Sequence, residues 1–194
     1  DMEELQVKGP TVMKGYWKRP DATAEVFTED GWFRTGDQAD LSDAGRIRIK
    51  GRIKEIIVTS TGEKIPPTDM ELAIQTDPLF EQVMVVGEAR PFITALAVVN
   101  EAEWEKFAKE FNVDPSDDRM LMRRDIRMAA LKRLKKAASR FPQYGIPRNI
   151  RLLKEHWTVD NGCLTVTMKL RRPIIREKLR AEIDELYTVP QNNV

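Results

Sequence analysis

The sequence predicts an α/β (α+β) fold: strands and helices combined in one body, with a β-rich stretch ahead of it. Three observations predict it. Residues 1–50 alternate short β-like runs with turn dipeptides. After Gly51, apolar runs of strand length are separated by segments of helical period. The 194 residues are 41% hydrophobic and 32% charged, which suits a globular chain and not a low-complexity one.

In chain order, Leu5 and Val7 alternate with Gln6 and Lys8, as in a half-buried strand. Glu29-Asp30-Gly31 and Ser42-Asp43-Ala44-Gly45 are turns. Between and after them come Trp32-Phe33 and then Ile47 and Ile49, whose alternation places Arg46, Arg48 and Lys50 on the wetter face. Ile56-Ile57-Val58 reads as a short buried strand. Pro66-Pro67-Thr68-Asp69 opens a helix that runs to about Gln75, and Asp77-Pro78 closes it. Residues 82–87 and 92–100 are strands with at least one covered face. Helices follow over 102–111 and 117–139, the second with Met122, Ile126, Ala130, Leu134 and Ala138 about one turn apart. A strand over 149–153 and a helix over 173–187 complete the pattern, and residues 188–194 read as a tail. The change of texture at 51–55 is the best domain boundary, so 1–50, 51–55 and 56–187 are taken as separate segments.

The totals exclude several classes. A net charge of +1 favours no polyanion by itself. The single cysteine, Cys163, excludes an intrachain disulfide framework. No apolar run approaches the roughly 18 residues of a membrane span, and no signal-peptide pattern is present. The chain does not begin with methionine and reads as a piece of a longer protein. His156 is the only histidine and has no metal-ligand spacing around it. A Gly-x-x-x-x-Gly-Lys phosphate loop is absent.

Four short motifs carry chemistry. Asp37, in Thr35-Gly36-Asp37, offers acceptor oxygens suited to a vicinal diol, although a turn cap uses the same residue. Arg52, in Gly51-Arg52-Ile53-Lys54, offers a planar fork for phosphate or diol oxygens, or simply a solvated strand end. Ser60-Thr61-Gly62-Glu63-Lys64 is a glycine turn that lets backbone approach a ligand, or a plain hairpin. In 161–169, Gly162 marks a turn and Lys169 ends a loop; a lysine there can neutralise developing negative charge, though most lysines are solvated surface groups. A fifth feature is the basic helix with Arg119, Arg123, Arg124, Arg127, Lys132, Arg133, Lys135, Lys136 and Arg140. No aromatic residue interleaves those charges as base stacking needs, so a solvated face over an apolar stripe is the simpler reading.

The motifs occur together and in one order. With "ELQVKGPTVMKGYWKRPDATAEVFTEDGWFRTGD", "GRIKEIIVTSTGEKIPP" and "NGCLTVTMKLRR", the chain resembles the C-terminal part of the acyl-adenylate-forming, AMP-binding enzymes. Within them it is similar to the long-chain acyl-CoA synthetases, over nearly everything from Glu4 to Tyr187. The resemblance implies a mobile C-terminal lid with a small mixed sheet flanked by helices, preceded by a short β subdomain from the end of the N-terminal domain. It implies that Asp37 and Arg52 bind the nucleotide, that Lys54 is the hinge, and that Lys169 is the catalytic lysine. Gly62 and Glu63 would line the tunnel that admits CoA. The implied reaction joins a fatty acid to CoA at the expense of ATP, giving AMP and pyrophosphate. Mg2+ would be held outside this stretch, and the fragment alone would be inactive. The implied partner is the upstream domain of the same chain, with no nucleic acid. The implied location is cytoplasmic, with peripheral membrane association left open.

Two departures stand out. Val166 occupies a place where the family commonly has proline, and Glu3-Glu4 stands where the first strand usually opens with Gly-Glu. Two other readings remain: a non-catalytic basic module for an anionic partner, and an adenylating ligase that loads a carrier protein.

Overall fold

A computed structural model describes residues 4–43 and 45–188; Glu3, Ala44 and the tail after Thr188 lie outside them. The chain forms two compact units, residues 1–56 and 57–194.

The first unit is built on an antiparallel sheet ordered β1-β2-β3, from Glu4–Val7, Phe33–Asp40 and Arg48–Arg52. Register shifts interrupt both pairings, between Glu4 and Gln6 and between Gln38 and Ala39. Helix α1, Pro20–Val26, was not expected in a stretch read as β-structure with turns. Pro20 at the start fixes a helical φ, and Asp21 favours the positive end of the helix dipole. The alternation at Ile47 and Ile49 does not mark a covered face, since they are 60% and 48% exposed.

The second unit begins with a two-stranded hairpin, β4 (Ile57–Val58) and β5 (Lys64–Ile65), pairing Ile57 with Ile65. Ile56 and Ile57 are buried as expected, but Val58 is exposed. Helix α2, Pro67–Ile74, follows, then the main sheet. Its order is β6-β7-β8, from Phe80–Val86, Thr94–Val99 and Asn149–Leu153. β6 and β7 are antiparallel; β7 and β8 are parallel. The long parallel crossover carries α3 (Glu101–Glu110) and α4 (Arg124–Ala137). Helices α5 (Arg172–Lys178) and α6 (Arg180–Thr188) end the described chain.

Both faces of this sheet are covered. Val83, Val85, Ala95, Ala97, Val99, Ile150 and Leu152 point into one core with Met70 and Ile74 of α2, Trp104 and Phe107 of α3, and Ile126 and Leu134 of α4. Met84, Val86, Leu96 and Val98 point the other way, against Trp157, Leu164, Ile175, Ile183 and Leu186. Every residue of the central strand β7 is buried. Asn100 caps α3 by accepting from the Glu103 N–H at 3.2 Å. Trp104 is 2% exposed, and its indole N–H donates to the Pro115 carbonyl at 2.9 Å.

Two expected helices are each divided. Residues 118–122 form a 3-10 turn, and Arg123 is extended (φ −59°, ψ 133°) before α4 begins. Its guanidinium reaches Asp125 at 2.6 Å. The final helix breaks at Leu179, with φ −109° and ψ 28°.

One ion pair ties α4 to the end of α2. Arg133 donates to both carboxylate oxygens of Asp77, at 2.9 and 2.6 Å, and the Leu79 N–H adds a third bond at 3.0 Å. Burial pushes the Asp77 carboxyl up, but the hydrogen bonds from Arg133 and Leu79 and the charges of Arg133 and Lys136 outweigh it. The net position is below the ordinary carboxylate value. Such a group contributes stability that is fully present above its unfolded value, near about 4, and lost as pH falls through the folded value. Asp77→Asn is therefore expected to be less stable than wild type at pH 7, with the gap closing below about pH 4. Urea unfolding across that range measures it; a gap independent of pH would mean that the Asp77 charge contributes nothing.

Candidate active site

In the first unit, β2 carries Thr35-Gly36-Asp37. Gly36 has φ +72°, a left-handed conformation that a side chain would strain. A Cβ there would sit 3.5 Å from an Arg52 nitrogen. Neighbouring groups hold the strand. Thr35 Oγ1 donates to the Leu5 carbonyl at 2.7 Å and accepts from the Asp37 N–H at 3.1 Å. The Gly36 N–H donates to Glu4 Oε1 at 3.0 Å.

The β2–β3 register sets Asp37 opposite Arg52. Arg52 Nε lies 3.0 Å from Asp37 Oδ1, and another guanidinium nitrogen donates to the Thr35 carbonyl at 2.8 Å. The structure thus brings these two expected residues together. Both remain reachable, with side chains 25% and 53% exposed for Asp37 and Arg52. A carboxylate beside a guanidinium offers acceptors for hydroxyls and donors for phosphate oxygens within one short stretch. Lys54, two positions after Arg52, is exposed in the 3-10 turn Ile53–Glu55.

In the second unit, Gly62 and Lys169 lie on two turns of the same construction. In the first, the Gly62 N–H donates to the Thr59 carbonyl at 3.0 Å and the Thr59 N–H to the Glu63 carbonyl at 3.0 Å. In the second, the Met168 N–H donates to the Thr165 carbonyl at 2.8 Å and the Thr165 N–H to the Lys169 carbonyl at 2.9 Å. Each leading threonine also accepts from the closing residue's N–H, Glu63 or Lys169, at 3.1 Å. Each also bonds the second threonine, Thr59 to Thr61 at 2.9 Å and Thr165 to Thr167 at 3.0 Å. These are three-residue hairpin loops ending in a left-handed residue. Gly62 takes that position at φ +85°, and Met168 takes it at φ +62°. Lys169 and Glu63 are therefore equivalent positions, and both are exposed or partly so.

The Lys169 loop has a firm stem. Leu164 and Leu170 form a bridge, and the Arg171 N–H donates to the Cys163 carbonyl at 2.8 Å. Cys163 and Leu164 are 3% and 4% exposed, so the stem is anchored in the second core. Arg172 then forks onto Glu71 of α2, at 2.7 and 2.6 Å. Glu71 is 5% exposed and also accepts the Val85 N–H at 2.8 Å. Sequence reasoning missed this pair. A signal existed: Pro67, Met70, Glu71 and Ile74 form an i, i+3, i+4, i+7 stripe, in which a glutamate is out of place unless paired.

The basic helix is partly committed elsewhere. Arg119, Arg123 and Arg133 pair with Asp117, Asp125 and Asp77, and Arg127 donates to Asn149 at 2.8 Å. His156 lies 3.2 Å from Glu81. Among the described residues, no three His, Cys, Asp or Glu side chains converge as metal ligands. No helix among them is long and apolar enough to cross a membrane.

Comparison with known proteins places the chain. The long-chain-fatty-acid–CoA ligase FadD15 of Mycobacterium tuberculosis is 36% identical over 96% of this chain and 31% of its own length. The chloroplastic long-chain-fatty-acid–[acyl-carrier-protein] ligase AEE15 of Arabidopsis thaliana is 33% identical over 95% of this chain and 25% of its own length. The chain thus spans about a third or less of these curated relatives. The adenylation domain of a carboxylate reductase from Mycobacterium chelonae superposes with a TM-score of 0.81 at 28% identity, over 96% of this chain and 28% of that one. Residues 54–190 match the AMP-binding enzyme C-terminal domain, and the chain belongs to that family.

Proposed function

We propose that this chain is the C-terminal part of an AMP-forming ligase that activates a fatty acid as its acyl-adenylate and passes it to CoA. The observation that carries the reading is the placement of Lys169. It stands exposed at the end of a short, hydrogen-bonded loop in one compact unit, while Asp37 and Arg52 form a pair in the other. A catalytic lysine on one body and a nucleotide grip on the other suit a lid that works in one step and withdraws in the next.

In the first step a carboxylate oxygen of the acid attacks the α-phosphorus of ATP. The bond from that phosphorus to the bridging oxygen breaks, and pyrophosphate leaves with the electron pair. Asp37 accepts hydrogen bonds from the ribose hydroxyls, and Arg52 adds a donor to the nucleotide. The Lys169 ammonium lies against the carboxylate and α-phosphate, where negative charge is greatest. In the second step the CoA sulfur attacks the acyl carbon, the thiol proton is lost, and the bond to the AMP oxygen breaks. The lid turns about Lys54, takes Lys169 away and brings the Gly62–Glu63 turn to the thiol's approach. Mg2+ would be held by residues of the longer protein outside this stretch, where it would neutralise charge on the phosphates. The rest of the catalytic body belongs to the longer protein, and the chain alone is expected to be inactive. The carrier-protein relative leaves a second acceptor to be tested, so transfer should be measured with both CoA and a phosphopantetheinylated carrier.

Three outcomes are expected in a protein of the relatives' full length that carries this chain. Asp37→Ala weakens ATP binding by tenfold or more, since hydrogen bonds to a charged group are worth roughly 1.5–3 kcal/mol. An unchanged KM for ATP with normal folding would leave Asp37 as a turn residue. Lys54→Pro, which fixes φ near about −65°, changes the two half-reactions unequally. Equal losses would point to misfolding, and no loss would move the hinge elsewhere. Lys169→Ala slows ATP–pyrophosphate exchange on the order of a hundred- to a thousandfold, the usual worth of a preorganised charge donor. It largely spares transfer from supplied acyl-adenylate to CoA. Equal slowing of both steps would refute the moving lid, and slowing of neither would make Lys169 a surface lysine.

A further inference from the structure

We infer that Glu71 is a positioning residue for the Lys169 loop, acting through Arg172 to fix where that loop leaves the domain. The inference deepens the proposed role of Lys169 and rests on it for its catalytic consequence, but not for its structural one.

The geometry is specific. Arg172 follows Lys169 by three positions, with Leu170 bridged to Leu164 between them. Its guanidinium meets both oxygens of Glu71, at 2.7 and 2.6 Å, in the bidentate arrangement that constrains direction as well as distance. Glu71 is itself fixed. It lies on α2 among Met70, Ala73 and Ile74, all buried, and its Oε1 accepts the Val85 N–H from strand β6. One carboxylate therefore joins α2, the main sheet and the start of α5.

Burying this pair is not the simplest way to build a core. A buried ion pair often contributes no more than apolar groups of the same volume would. What it supplies here is direction. Apolar contact tolerates sliding, whereas two parallel hydrogen bonds do not. The loop above it carries a methionine in a left-handed conformation, which by itself is unfavourable. The Thr165 hydrogen bonds hold that conformation within the loop. The Glu71 fork, added to the Leu164–Leu170 bridge and the Arg171–Cys163 bond, fixes the direction in which the stem leaves the domain and so where the Lys169 backbone sits. The same carboxylate lies on the helix that follows the Gly62 turn, so the two matched loops are referenced to one anchor.

Hydrogen exchange on this chain tests the structural half without assuming any reaction. In Glu71→Gln the Thr165, Met168, Lys169 and Arg171 amides should exchange about tenfold faster, while the α4 amides keep their protection. Glu71→Gln takes a carboxylate away from Arg172 and is expected to cost stability, so the double variant Glu71→Met with Arg172→Met is made as well; it removes both charges and nearly keeps the volume. If either folded variant exchanges its loop amides at the wild-type rate, the inference fails. The catalytic half is read in the full-length protein. Both variants should lower kcat for ATP–pyrophosphate exchange about tenfold or more, with KM for ATP little changed, and leave transfer from supplied acyl-adenylate near wild type. Equal loss in both half-reactions, or a change confined to KM, would overturn positioning in favour of general loosening. If Lys169→Ala spares adenylation while these variants still speed loop exchange, the reading of Lys169 fails and the anchor stands.

Discussion

A three-stranded sheet with both faces covered has no wet side on which to place a misaligned residue. That constraint organises the second unit. Odd and even positions of β6 and β7 feed two different cores, so a slip of one residue would exchange them. On β8, Ile150 and Leu152 enter the core under α4, while Arg151 points the other way and meets Glu185 of α6 at 3.1 Å. Gln82 on β6 is fixed at the other end of the sheet, where its amide both donates to and accepts from the Trp157 backbone, at 2.9 and 2.7 Å. These polar contacts pin the register that the apolar alternation selects. The Val85 N–H that Glu71 accepts is part of the same frame, so the position of a loop far along the chain is set by sheet register.

Much of this frame was legible in the sequence. Val83–Val86 of β6 and Ala95–Val99 of β7 are unbroken apolar runs, and α4 repeats its apolar residues every turn, so run length and period located them. Boundaries were harder. The break at Arg123 sits in a basic stretch whose composition matches the helix beyond it; only its extended backbone and its bonds to Asp125 separate the two. Leu179 continues an amphipathic pattern across a kink that period cannot see. At Ile47 and Ile49 the alternation gave two faces correctly but could not say that neither is covered in this unit.

The candidate site divides in the same way. Glycines at 36 and 62 were readable as special backbone positions because side chains are strained there. The Asp37–Arg52 contact was not, since it needs the pairing of β2 with β3 across an irregular register. The roles proposed for them rest on resemblance, since a lone aspartate or arginine on a strand has many ordinary uses. Glu71 was hidden for a different reason: its meaning lies in a partner 101 residues away.

The two matched turns explain how the Lys169 loop keeps its shape with Val166 in place of the proline common in the family. Val166 is 86% exposed and packs nothing, so it contributes neither a fixed φ nor apolar anchoring. Thr165 does the holding. Its N–H, carbonyl and hydroxyl are all engaged, to Lys169, to Met168, and to both Lys169 and Thr167. Thr59 engages the same groups in the same order around Gly62, where the left-handed residue is glycine and unstrained. A threonine-centred network is thus sufficient to close this turn, and in the Lys169 loop it also bears the cost of Met168, about 1–2 kcal/mol for a left-handed non-glycine residue. The backbone on both sides of Lys169 is consequently held, by its N–H and by its carbonyl. The side chain beyond them is left free, and four methylenes carrying a compact charge give its ammonium a wide reach.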